Sequence, residues 1–297
     1  MHKQPDPAPS GFTWPGGKRL AFSLVVNVEE GAENRVDEGD KRPEPVDELG
    51  VTMKAPIRMH GNETNYQYGI NRGAPRVLKL LDEAQIRATW TVCGQALEKA
   101  PWLAKAIIER GDEPCNHGHK WTFSAFMSEE EERAFVRKGT ESIEATCGRK
   151  PAGWLSRYLH TDKTRRFIKE AGYFYHMDDY SDDFPYWDQV EMDDGSRQPM
   201  VILPYAIDSN DMKFWLAPSF TPQMWVDYAK RTFDWLYEEA QTEGARIMSL
   251  GLHLRIIGRP GRIAALREVL DYVTGHDDVW CASREEIAHH FAEHVKP

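Results

Sequence analysis

The segment Leu20-Ala21-Phe22-Ser23-Leu24-Val25-Val26-Asn27-Val28-Glu29-Glu30-Gly31 runs through a short apolar strand and stops on two adjacent carboxylates and a glycine. Further candidate strands lie at 88–93, 113–116, 152–155, 173–177, 200–204, 247–252 and 279–282. From residue 75 onward helical patterns fall between most of them. That alternation predicts βα units around a parallel sheet. Eight short strands predict an α/β fold of the distorted (β/α) barrel, TIM-like kind rather than an open sheet. No glycine-rich phosphate loop follows the first strand, which argues against a dinucleotide-binding sheet.

The 297 residues fit a single catalytic domain over 1–297, with a polar, Pro/Gly-rich N-terminal arm at 1–17 and a long irregular loop at 29–73. A second irregular stretch, 178–198, is acidic and aromatic. Ser128 with Glu131 and Ser283 with Glu286 predict capping boxes, and Thr221-Pro222 predicts another helix start. The net charge is −10 and no basic run of five or more appears, so a nucleic-acid or anionic-membrane partner is not expected. No apolar stretch approaches a membrane span, and the N-terminus lacks a charged-then-apolar leader layout. The expected location is therefore cytoplasmic. Cys93, Cys115, Cys147 and Cys281 form no CxxC pair and are expected to be reduced thiols.

A parallel barrel places its active site at the C-terminal strand ends. Polar residues close six strands there: Asn27, Glu29 and Glu30; Asn116, His117 and His119; Arg157; Asp178 and Asp179; Tyr205 and Asp208; and His253. Glu29 and Glu30 are like charges, a setting in which one carboxylate rises in pKa and serves as a base. His117 is placed to polarise an amide carbonyl, and His253 to protonate a leaving nitrogen. Trp154, Trp121 and Tyr205 are candidates to wall an apolar pocket. Each has a plainer counterpart: solvated loop carboxylates, a core histidine, ordinary aromatic core.

Val28-Glu29-Glu30-Gly31, Asn116-His117-Gly118 and Gly251-Leu252-His253 resemble three motifs of the polysaccharide-deacetylase superfamily. Further stretches resemble its allantoinase and cyclic imide hydrolase branch: Glu33-Asn34, Asp182-Asp183-Phe184-Pro185-Tyr186-Trp187, Leu203-Pro204-Tyr205, Asn210-Asp211-Met212, Leu254-Arg255, Gly258-Arg259-Pro260 and Ser283-Arg284-Glu285-Glu286. The resemblance covers nearly the whole chain. It implies hydrolysis of a small cyclic amide, with Glu29, Glu30, His117 and His253 catalytic. Asn27, Trp154, Arg157, Tyr205 and Arg255 would bind substrate, and the protein would be a homo-oligomer. Metal-dependent members carry a second histidine four places after the first; here that place holds Trp121. No cofactor is therefore favoured. A divalent metal such as zinc is the alternative, held by Glu30, His117 and His119. Arg157 also sits one place earlier than the family arginine. Two rival readings remain: a metal-dependent N-deacetylase of amino sugars or polysaccharide, and a catalytically inactive ligand-binding barrel.

Overall fold

A computed structural model describes residues 8–46, 48, 50–51 and 53–297. All nine residues of β1 (Leu20–Val28) are buried, Ser23 and Asn27 included. A strand covered on both faces reads as a continuous apolar run, the signature of a parallel sheet. The other strands are β2 (Thr89–Val92), β3 (Glu113–Asn116), β4 (Gly153–Trp154), β5 (Tyr175–His176), β6 (Tyr186–Glu191), β7 (Arg197–Ile202), β8 (Arg246–His253) and β9 (Val279–Cys281). Their order is β6-β7-β5-β4-β3-β2-β1-β8, with β9 also paired to β1. β8 takes one edge of β1 along 20–27, while β9 and β2 share the other edge. All pairs are parallel except β6–β7. This is the distorted (β/α) barrel expected from the sequence, and the strand ends gather on one rim.

Ten helices accompany the strands among the described residues: α1 (His60–Tyr68), α2 (Ala74–Ala84), α3 (Gly94–Lys99), α4 (Pro101–Glu109), α5 (Glu129–Cys147), α6 (Thr164–Glu170), α7 (Pro222–Thr242), α8 (Leu254–Ile257), α9 (Pro260–Thr274) and α10 (Arg284–His294). Both capping boxes form, at Ser128 and Ser283, and Thr221 caps α7. No helix of the described residues is long and apolar enough to cross a membrane. The four cysteines are free.

Two sequence expectations need correction. The stretch 178–198 is not irregular throughout, because β6 occupies part of it and returns against β7 as an antiparallel hairpin. The loop at 29–73 is irregular only to residue 59. From His60 a helical run continues through a wider π-type turn, Gly69–Gly73, into α2. No apolar stripe announces α1. It is held by buried polar contacts instead: Asn62 Nδ2 donates to the Glu44 carbonyl at 3.0 Å, and Tyr66 Oη donates to the Val46 carbonyl at 3.0 Å. Of the arm read at 1–17, residues 1–7 lie outside the described residues; Trp14 is buried and its indole N–H donates to the Arg246 carbonyl at 3.0 Å.

At the opposite end of the barrel, Glu113 opens β3 fully enclosed. It accepts from Tyr175 Oη at 2.5 Å, Thr89 Oγ1 at 2.7 Å and the Glu285 N–H at 2.9 Å. Burial, reinforced by the nearby Glu285 charge, pushes its carboxyl up to about 7. Between pH 4.5 and 7 the unfolded chain has released this proton and the folded chain has not. Stability therefore falls with rising pH across that window and levels off above it, by on the order of 3 kcal/mol at most. Glu113→Gln should show a smaller drop in melting temperature between pH 5 and pH 8 than the wild type. Identical drops in the two proteins would remove Glu113 as a source.

Candidate active site

The rim of the barrel holds a compact charge cluster. Glu29 leaves the end of β1 almost wholly buried, with its carboxylate between three cationic or hydrogen-bonding partners. Arg255 Nη1 lies 2.7 Å from Oε2, and Oε1 lies 3.4 Å from His253 Nε2 and 3.6 Å from His117 Nε2. The Arg255 contact is an ion pair off the hydrogen-bonding line: Glu29 Oε2 and Arg255 Nε and Nη2 are buried without a hydrogen-bond partner. Burial alone would raise the Glu29 carboxyl, but Arg255 and His253 overcome that and hold it well below the usual carboxylate range. The member of the acidic pair that burial does raise is Glu30. The expectation of a Glu29 with elevated pKa is thus corrected, because the guanidinium sits nearer Glu29 than Glu30.

Glu30 faces away from the cleft. Its Oε2 accepts the Glu29 N–H at 3.1 Å and its Oε1 accepts the Arg255 N–H at 2.9 Å, which ties the end of β1 to the first turn after β8. Gly69 runs against it so closely that a Cβ there would sit 2.6 Å from Oε1. Arg255 itself is fully buried behind Glu29, over the Tyr66 ring at 4.4 Å, and does not line the cleft. Its expected contact with substrate is corrected to support of Glu29.

His253 closes β8. Asp211, in the single 3-10 turn before α7, receives both its N–H at 2.8 Å and its Nδ1 at 2.7 Å. Burial opposes the imidazolium, but Glu29 and Asp211 on either side of the ring prevail and raise it to about 9. At neutral pH the ring therefore carries a proton on Nε2, directed at the cleft. His117 is different. Its Nδ1 meets the Leu155 carbonyl at 2.7 Å and its Nε2 accepts the Trp121 indole N–H at 3.2 Å. That tautomer leaves no N–H facing the cleft, so His117 is a poor oxyanion donor.

Asn27, Tyr205 and Arg157 reach the cleft as expected, alongside Trp121, Leu155, Ser156, Tyr158, Tyr180, Ile207 and Asn210. Tyr205 Oη accepts from Asn210 Nδ2 at 3.2 Å and Asn27 Nδ2 at 3.5 Å, which leaves its own proton free to donate. Arg157 is bound to Glu44, with Nη2 2.6 Å from Oε1, and lies flat on Trp121 at 3.6 Å. Trp154 does not reach the cleft. It packs edge-on against Phe135 and Tyr173 in the core, since its strand position points it away. Sequence reasoning did not place Asp211 or Glu44 in the site, although Asp211 falls within the quoted Asn210-Asp211-Met212. The cleft is narrow, about 40 Å³. A larger hollow of about 460 Å³ lies at the other end of the barrel, where Arg87 pairs with Glu286 and Arg149 with Glu285.

The metal alternative was Glu30, His117 and His119, and these three do not converge. Gly118 turns the chain with φ 89°, and His119 Nε2 points outward to Glu98 at 3.1 Å. Both Glu30 oxygens are engaged by backbone N–H groups, and Trp121 covers the His117 lone pair. The Arg255 charge beside Glu29 would repel a divalent cation.

The chain matches the polysaccharide deacetylase family model over residues 64–176. It is 32% identical over 291 residues to a Schizosaccharomyces pombe protein whose name assigns it to the polysaccharide deacetylases, covering 93% of this chain and 91% of that one. A crystal structure of a Pseudomonas aeruginosa PAO1 protein of the same designation superposes with a TM-score of 0.89 at 35% identity, covering 95% and 93% of the two chains. That of PuuE allantoinase superposes with a TM-score of 0.90 at 32% identity over the whole of both chains. The chain belongs to the polysaccharide deacetylase family, on its allantoinase-like branch. It is thereby a hydrolase of carbon–nitrogen bonds by class.

The His253 ring should titrate near pH 9 when followed by NMR of its ring protons. Asp211→Asn removes one flanking charge and should move that titration to lower pH. A ring that titrates near 6.5 in the wild type would contradict the proton placement.

Proposed function

We propose that this enzyme opens the ring of a small cyclic amide, such as allantoin or a cyclic imide, without a metal. The observation that carries this reading is the narrow cleft in which an ionised Glu29 and a protonated His253 face one site, with Arg255 supplying fixed positive charge behind. Such a cleft suits a compact ring better than a polymer. Water placed beside Glu29 attacks the ring carbonyl, and its proton passes to the Glu29 carboxylate. Tyr205 donates a hydrogen bond from its free hydroxyl to the developing oxyanion. The carbon–nitrogen bond then breaks as His253 Nε2 gives its proton to the departing nitrogen. Asp211 keeps the resulting imidazole oriented. Glu30 and Arg255 hold Glu29 in place, and Arg157, through Glu44, holds the loop beside the cleft.

We also read the protein as a cytoplasmic homo-oligomer. The rival reading, N-deacetylation of amino sugars, draws support from the S. pombe relative and from a Helicobacter pylori peptidoglycan deacetylase 24% identical over 251 residues. Turnover of allantoin and cyclic imides, set beside N-acetylglucosamine oligomers, separates the two. Release of acetate from the sugars with no ring opening would favour the rival, and no turnover at all would favour an inactive barrel.

Glu29→Gln keeps the side-chain shape but loses the proton acceptor, so kcat should fall on the order of 10²–10⁴-fold with an unchanged circular dichroism spectrum. Wild-type turnover in that variant would end its assignment as base. His253→Ala should cost more for imides with a basic leaving nitrogen than for those with an acidic one. An equal loss across the series would make His253 a binding residue only. A strong chelator should leave turnover unchanged; activity lost on chelation and restored by zinc would overturn the metal-free reading.

A further inference from the structure

A second set of ligating side chains lies far from the cleft, at the C-terminal end of α10. His290, Glu293 and His294 are three and four residues apart and so share one helix face. One ligand atom from each lies within 4.8 Å of the other two. A tetrahedral ion with bonds near 2.1 Å needs its ligands about 3.4 Å apart. Glu293 and His294 are exposed and can close that gap by side-chain rotation alone.

In each ring one nitrogen is engaged by a backbone carbonyl, and the other has no hydrogen bond among the described residues. His290 Nε2 lies 2.9 Å from the Thr13 carbonyl, and His294 Nδ1 lies 2.8 Å from the His290 carbonyl. A ring nitrogen facing a carbonyl carries the proton. The lone pairs are therefore on His290 Nδ1 and His294 Nε2. Histidines that bind metals commonly donate their other N–H to a backbone carbonyl or carboxylate, which fixes the ring and raises its basicity. His290 is further held between Trp14 and Trp280, each 5.7 Å away. Glu293 makes no ion pair among the described residues, whereas Glu285 and Glu286 on the same helix are paired with Arg149 and Arg87. Lys296 bonds to the Glu293 carbonyl rather than to its carboxylate.

We propose that His290, Glu293 and His294 form a three-ligand site for a borderline divalent cation, zinc or nickel, with its remaining position open to water. Two imidazoles and a carboxylate suit these ions and not calcium or magnesium, which prefer all-oxygen shells. Bound there, the ion polarises the His290 ring and strengthens its N–H bond to Thr13. The C-terminal helix is thereby fastened to the segment that leads into β1.

The test uses tag-free protein stripped of metal, titrated with Zn²⁺ by calorimetry and followed by thermal melting. About one equivalent should bind to the wild type and raise its melting temperature. His294→Ala should weaken that binding at least about tenfold and abolish the rise, and Glu293→Gln should weaken it measurably. Turnover of the metal-free His294→Ala protein should match the metal-free wild type, since neither residue touches the cleft. No binding by the wild type would overturn the proposal. So would an equivalent that survives His294→Ala unchanged, and binding indifferent to Glu293→Gln would overturn the three-ligand assignment.

Discussion

Arg255 carries a charge that the fold never lets reach water, and the arrangement of the whole rim follows from how that charge is compensated. A buried guanidinium is tolerated only against negative partners. Glu29 and Glu30 provide them from the end of β1, while the Arg255 backbone N–H also bonds Glu30. The strand that precedes Arg255 must therefore lie in register beside β1, as β8 does from Leu20 to Asn27. The helical run behind the cluster must come close as well, and it does so only because Gly69 and Gly73 have no side chain to keep it off Glu30 and Leu254. Tyr66 then covers the guanidinium face.

The same charge sets the chemistry of its neighbours. Two adjacent buried carboxylates repel one another, so their pKa values move apart. Glu29, nearer to Arg255 and to both histidines, is held low, whereas burial raises Glu30. The ionised Glu29 in turn keeps a proton on His253, together with Asp211. A fixed cation within the chain thus steers the titration of Glu29 and, through it, of His253.

Much of this was legible in the sequence because strand ends are legible. Glu29 and His253 each terminate an apolar run and His117 closes a short candidate strand, so a one-dimensional pattern locates them on a common rim. β6 was missed because its sequence, Tyr186–Glu191, mixes aromatic and acidic residues on a half-exposed hairpin. α1 was missed because its hold on the barrel is polar. Asp211 and Glu44 come from loops whose path is set by contacts distant in sequence, with no local period to betray them. Trp154 and Trp121 look alike as sequence; only the direction in which each leaves its strand or turn puts one in the core and the other on the cleft. Arg255 follows a strand end, as a substrate-binding residue would, and the sequence cannot say that its side chain turns inward.

The contacts that build the rim are long in chain terms. Glu30 meets Arg255 across 225 residues, and Glu44 meets Arg157 across 113. During synthesis, every strand from β1 to β7 can leave the ribosome before the partner of Glu29 exists. Until β8 emerges, Glu29 and Glu30 are two neighbouring carboxylates without a counter-charge, and His253 and Arg255 have not been made. A nascent or truncated chain lacking its last fifty or so residues thus has neither the proton donor His253 nor the charge of Arg255. The reactive cluster assembles in one late step, when the eighth strand docks against the first.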